Sequence, residues 1–147
     1  MYLFDLYPTL CEMIGVPIPH SLEGQSFAPV LEGKADSVRD SILLGYKDCQ
    51  RVVRHGQWKL IRYPKVDVTQ IFDLKNDLHE TKNLSEKSDQ ANRIIELMSL
   101  MRKEQERFGD TLPLEVAQPK KAEVDLDYFH SPKAKFYKML WSLVSKH

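Results

Sequence analysis

Cysteine is scarce in this sequence. Cys11 and Cys49 are the two thiols among 147 residues, too few for a disulfide framework and without the CxxC spacing of a redox or zinc site. The redox compartment is therefore open. Charge of one sign is also missing: Lys+Arg and Asp+Glu both number 21, so the formal net charge is zero. That removes a global electrostatic drive toward nucleic acid or an anionic membrane, and only a local patch is able to serve. No apolar run approaches the ~18–20 residues of a membrane span. The start, MYLFDLYPTL, has neither the basic region nor the small-residue cleavage site of a signal peptide.

Motifs that carry chemistry are equally sparse. His20, His55, His79, His130 and His147 form no HxxxH or HxH pair, which argues against a metal site. No Gly-rich phosphate loop is present, and no internal repeat. The stretch DLKNDLHE lacks the third-position Asp/Asn, the sixth-position Gly and the terminal Glu of a calcium loop. Cys11 lies beside Met13 and Ile14 with no nearby base or cation, which reads as a packed thiol. Cys49 falls in a hairpin turn, where no His or Asn has a spacing suited to a triad.

What is present is an ordinary globular balance, 42% hydrophobic and 29% charged. Leu3, Leu6, Leu10, Met13 and Ile14 recur at helical spacing, with Pro8 near the start, Gly15 just past the end and Asp5 placed to cap. A Pro- and Gly-punctuated connection follows, whose anchors Leu22, Phe27, Val30 and Leu31 imply that it lies against something. From Ser41 the period changes. SILLGY, QRVVRH, WKLIRY and TQIFDL are β-rich runs separated by short turns, giving an antiparallel meander of about four strands. Asp77 with Glu80 suits a capping box over a single turn. A long helix then starts near Ser88, with Ala91, Ile94, Ile95, Met98 and Met101 on one face and Gly109 as its stop. Its apolar face covers the meander, which makes the chain α+β. The remainder begins Pro- and Lys-rich and ends in an amphipathic run, Phe136 to Val144.

The stretch QRVVRHGQWKLIRYP concentrates Arg51, Arg54, His55, Lys59 and Arg62 among apolar residues. On strands, Arg51, Val53 and His55 share one face while Val52 and Arg54 share the other. Mixed faces of this kind suit solvated strand edges. The functional alternative is that Gln50, Arg51 or His55, near strand ends, reaches into a cleft that binds an anion. Taken alone these residues define a fold and no active site.

Three ordered motifs change that. DLYPTLCEMIGVPIPHSLEGQSFAPVLEG resembles the sulfatase pattern D-[LI]-x-PT-[LV]-x-x-x-x-G with its following LxGxS connection. RVVRHGQWKLIRY is similar to the family's C-terminal strand pair, and IFDLKNDLHETKNLS to its [LI]-[YF]-D-L-x-x-D-P-x-E-x-x-NL signature. The resemblance spans about Asp5 to Phe108 and is nearest the N-sulfoglucosamine sulfohydrolase and bacterial arylsulfatase branch. Leu78 stands where that signature has Pro. The family's nucleophile motif, C/S-x-P-S/A-R, is absent, as are the acidic metal-binding pairs and the sulfate-holding Lys and His residues.

The resemblance implies the last part of a sulfatase, a sulfuric ester or sulfamate hydrolase. Residues 1–34 would then pack on a catalytic α/β domain, residues 35–110 would form the C-terminal subdomain, and 111–147 would be an extension ending in a short helix. It implies no catalytic and no metal residue in this chain; Gln50, Arg51 and His55 are the substrate-rim candidates. Calcium and formylglycine belong to a full-length parent, whose substrate would be a sulfated carbohydrate or aryl sulfate. Parents of this family are often periplasmic, secreted or lysosomal. The alternative is a stand-alone interaction module descended from such a C-terminus.

Overall fold

A computed structural model of the chain describes residues 1–122. Four strands follow one another as a meander: β1 (Ser41–Tyr46), β2 (Gln50–His55), β3 (Trp58–Tyr63) and β4 (Val68–Asp73), antiparallel and in the order β1-β2-β3-β4. Short turns make this topology the direct one, since sequential strands joined by two to four residues pair with each other. The register sets Leu43 opposite Val53, Val53 opposite Leu60, and Leu60 opposite Ile71. These four form one apolar row across the sheet.

A helix covers that row. Numbered in chain order, the helices are α1 (Leu6–Met13), α2 (Ala28–Leu31) and α3 (Ala91–Phe108). Leu97 and Met101 of α3 press onto the row, with Leu114 closing it. Val53, Leu60, Ile71 and Met101 are fully buried there, each stabilising the fold by ~1.5–3 kcal/mol relative to exposure. Both α1 and α3 end with a left-handed glycine, Gly15 and Gly109. In each case the next residue's N–H reaches back to the helix: Val16 to Cys11 O at 2.9 Å, Asp110 to Gln105 O at 2.9 Å. That is the Schellman closure, and it satisfies carbonyls the last turn leaves open.

The four strands, the packed thiol of Cys11 and the exposed one of Cys49 stand as the sequence indicates. Three local readings are corrected. On α3 the core face is carried by Leu97, while Ile95 is 66% exposed and Ala91 also faces out. Asp77 and Glu80 form no capping box. Glu80 sits at φ +55°, outside helical space; its carboxylate binds Lys59 Nζ, and the Asp77 carboxylate accepts from Thr81 and Lys82 N. Asp5 stands at the N-cap of α1 but makes no side-chain cap bond, because its carboxylate is committed elsewhere. The Phe136–Val144 run lies outside the described residues.

Candidate functional site

The first 34 residues are held to the sheet by polar contacts. Asp5, with its side chain fully buried, accepts from Arg39 Nε and Nη2, from Gln25 N at 2.9 Å and from Tyr2 N at 2.6 Å. Burial pushes its carboxyl up, but these hydrogen bonds, led by Arg39, outweigh that and hold it at about 2. Arg39 also lies 5.0 Å over the Tyr2 ring. Tyr2 in turn packs edge-on to Phe108 of α3, and its hydroxyl accepts from Leu43 N at 2.6 Å. Thr9 Oγ1 donates to Asp5 O and accepts from Phe27 N, which pins the connection alongside α1. Gly24 passes so close to the turn before α1 that a Cβ there would lie 2.3 Å from Phe4 O.

These contacts turn α1 the unexpected way round. Its inner side is Pro8, Thr9 and Cys11. The apolar side faces outward: Leu3, Tyr7, Leu10, Met13 and Ile14 are 81, 56, 56, 61 and 72% exposed. Leu31 adds to the exposed apolar surface. Exposed apolar surface that is contiguous and large marks an interaction site, and a helix whose apolar side faces away from its own core presents such a surface.

The rim candidates fall at two places. Gln50 opens β2 opposite Tyr46, and His55 ends it opposite Trp58, about 16 Å away at ~3.3 Å per residue. All three guanidinium nitrogens of Arg51 are engaged: Nε and Nη2 grip Asp110 at 2.6 and 2.9 Å, and Nη1 donates to Lys47 O and Gln50 O. The Arg51 hydrogen bond is the main reason the Asp110 carboxyl sits at about 2, against an opposing push from burial. Arg51 thus ties the β1–β2 turn to the end of α3. His55 borders a cleft of about 480 Å3 beneath the connection, shared with Phe27, Val30, Asp36, Ile42 and Arg54. Its Nδ1 donates to Asp40 O at 2.8 Å, which leaves Nε2 of the neutral ring as an acceptor.

Sequence reading missed Arg39, the residue that organises the N-terminal segment. The only signal for it is its place after the connection, at the entry to β1. No group of three or more His, Cys, Asp or Glu side chains converges among the described residues, so these residues do not fit calcium. No described helix is long and apolar enough to cross a membrane.

The described residues form a four-strand meander under one helix, an α+β arrangement fronted by a segment that turns its apolar side outward. The sequence matches the family model described as N-sulphoglucosamine sulphohydrolase, C-terminal, over residues 2–107. The chain belongs to this family of sulfatase C-terminal domains. It is 28% identical over 121 residues to an N-acetylglucosamine-6-O-sulfatase of Bacteroides thetaiotaomicron, a match covering 74% of this chain and 22% of that protein. It is 33% identical over 119 residues to an uncharacterized protein of Haemophilus influenzae, covering 76% of this chain and 60% of the other. A solved structure of a protein in complex with its substrate D-glucosamine-2-N,6-O-disulfate superposes with TM-score 0.64 and 28% identity, over 76% of this chain and 25% of that one. The chain thus spans only part of the relatives it matches. Full-length enzymes of the family use calcium and formylglycine.

Proposed function

We propose that this chain is the C-terminal part of a sulfatase, hydrolysing a sulfuric ester or sulfamate on a sulfated carbohydrate or aryl group. In this reading it packs against an N-terminal catalytic α/β domain, helps shape the substrate rim and is inactive alone, since the nucleophile motif and metal ligands are not among its residues. The observation that carries the reading is the outward apolar side of α1, which the fold holds in place with a buried ion pair instead of burying it. In this reading a catalytic domain would cover it. His55 fronts the cleft and would contact substrate from the rim; Arg51, gripped by Asp110, would act there only by setting the β1–β2 turn beside Gln50. The sulfated glucosamine bound by one relative, and the 6-O-sulfatase name of another, favour a sulfated sugar.

A second reading, a stand-alone interaction module, is favoured by the Haemophilus relative, of which the matched region is 60% rather than about a quarter. The genomic sequence directly upstream of Met1 separates the two. An in-phase frame carrying C/S-x-P-S/A-R is expected, and its product should co-purify with this chain when the two are expressed together. An upstream promoter with no such frame, together with a chain that stays monomeric, would overturn the sulfatase reading in favour of the module.

A further inference from the structure

The cleft beneath the connection is rich in hydrogen-bond acceptors. At about 480 Å3 it falls within the ~300–1,000 Å3 of small-ligand sites. Phe27 and Ile42 give it an apolar side, and Asp36, Asp40, Arg54 and His55 give it polar ones. The three charged residues are exposed, and none of them joins an ion pair among the described residues. Arg39 also borders the cleft, but its charge is spent on the buried Asp5 carboxylate. His55 donates from Nδ1 to Asp40 O, so Nε2 of the neutral ring offers a lone pair. Two carboxylates and an imidazole acceptor thus stand against one uncommitted guanidinium.

We propose that this cleft takes a sulfate-free, hydroxyl-bearing sugar ring, and that the sulfate group itself is held elsewhere. Sequence alone offers His55 to an anion. An anion here would meet two like charges and a lone pair, an arrangement that rejects it. A hydroxyl suits the same groups. It donates to a carboxylate or to His55 Nε2 and accepts from the Arg54 guanidinium, so neighbouring hydroxyls satisfy both kinds of partner at once. The C–H face of the ring then lies against Phe27 and Ile42, the apolar side that small-ligand sites combine with a few placed polar groups. The register supports convergence: Ile42 stands opposite Arg54 and Ser41 opposite His55, so the end of β2 lies beside the entry to β1 where Asp40 sits. The choice of a sugar rests on the sulfatase reading; the preference for hydroxyl over sulfate rests on the cleft alone. In that reading Asp36, Asp40 and Arg54 are specificity residues for the hydroxyl edge of the saccharide.

Amide spectra of the nitrogen-labelled full chain test this by titration, with N-acetylglucosamine and sodium sulfate as the two probes. N-acetylglucosamine should give saturable shifts at residues bordering the cleft, 36–42 and 54–56 foremost, and sulfate at matched ionic strength should give none there. Asp36→Ala/Asp40→Ala should weaken the sugar at least tenfold and leave the thermal melt unchanged, since both side chains are exposed. Saturable shifts from sulfate on the same residues, or none from the sugar, would overturn the proposal. So would a sugar affinity indifferent to the two alanines. The upstream genomic sequence tests the sulfatase reading separately. A chain without the upstream frame that still binds the sugar loses that reading and keeps the cleft; an upstream frame with no sugar bound does the reverse.

Discussion

Arg39 and Asp5 are joined across 34 residues of chain by two hydrogen bonds, and both side chains are almost completely removed from water. Breaking such a pair from one side leaves a buried charge without a partner. Arg39→Met should therefore cost about 3–5 kcal/mol, read as a lower urea midpoint. Asp5→Leu/Arg39→Met should recover part of that loss but not all, because Tyr2 N and Gln25 N also lose their acceptor. A double variant less stable than Arg39→Met would sink the charge-pair explanation.

Acid should weaken the fold in a defined window. Asp5 and Asp110 each have a folded-state pKa of about 2, against 3.8 for the ordinary carboxyl. A depressed carboxyl contributes stability that is fully present above the unfolded value and disappears as pH falls through the folded one. Each is worth roughly 2 kcal/mol by that difference. Denaturant titrations should show stability flat from pH 7 to about 5, then falling steeply between about 4 and 2. Arg51→Met should flatten the part of that slope belonging to Asp110. An unaltered slope in the variant would remove Arg51 as the cause.

The core face of α3 can be checked by truncation. Leu97 is 4% exposed and packs on the sheet, whereas Ile95 is 66% exposed. Leu97→Ala should cost about 2–5 kcal/mol and Ile95→Ala no more than about 0.5. Equal losses in thermal or urea melts would mean that the helix is rotated from the position described.

The outward side of α1 should govern association without governing stability. Leu10→Glu/Ile14→Glu places charge on two residues that are 56 and 72% exposed, so the unfolding free energy of the isolated chain from urea titration should change by no more than about 0.5 kcal/mol. Light scattering should show less self-association than in the parent chain. Removing residues 1–34 altogether is a harsher change, because Arg39 and Leu43 N would lose Asp5 and Tyr2. That truncation should melt lower than the full chain. A truncation that melts as high as the full chain would deny the latch its role.

The sheet was legible because short runs rich in β-branched and apolar residues, such as Val52-Val53 and Leu60-Ile61, stand between short turns. Helix α3 was legible in place but not in rotation. Ala91, Ile94, Ile95, Met98 and Met101 make a consistent stripe on paper; Met101 is central as read, and only the sheet decides that Leu97 joins it while Ile95 and Ala91 face out. The Asp77–Glu80 spacing matched a helix start, yet Lys59, 21 residues earlier in sequence, claims the Glu80 carboxylate. The Asp5–Arg39 pair was not legible at all, since two polar residues 34 apart leave no periodic trace. The same pair reverses α1, so a stripe that reads as core becomes surface. For the rim, the sequence placed Gln50, Arg51 and His55 on one strand but could not show that Arg51 spends its donors on Asp110.

The order of strands in the meander also bears on how quickly the chain folds. Each strand pairs with a chain neighbour, so the sheet assembles by closing short loops, the fast class of event in folding. The contacts of Asp5 with Arg39 and of Tyr2 with Leu43 close loops of 34 and 41 residues, and longer loops cost more entropy to close. The sheet should therefore be complete before the N-terminal segment is fastened. During that interval a finished meander carries an untethered apolar helix, and at high concentration such a species is captured by other chains before it docks. Refolding yield should fall with protein concentration even where the native state is stable, and the loss should be greatest when the latch is slowest to close.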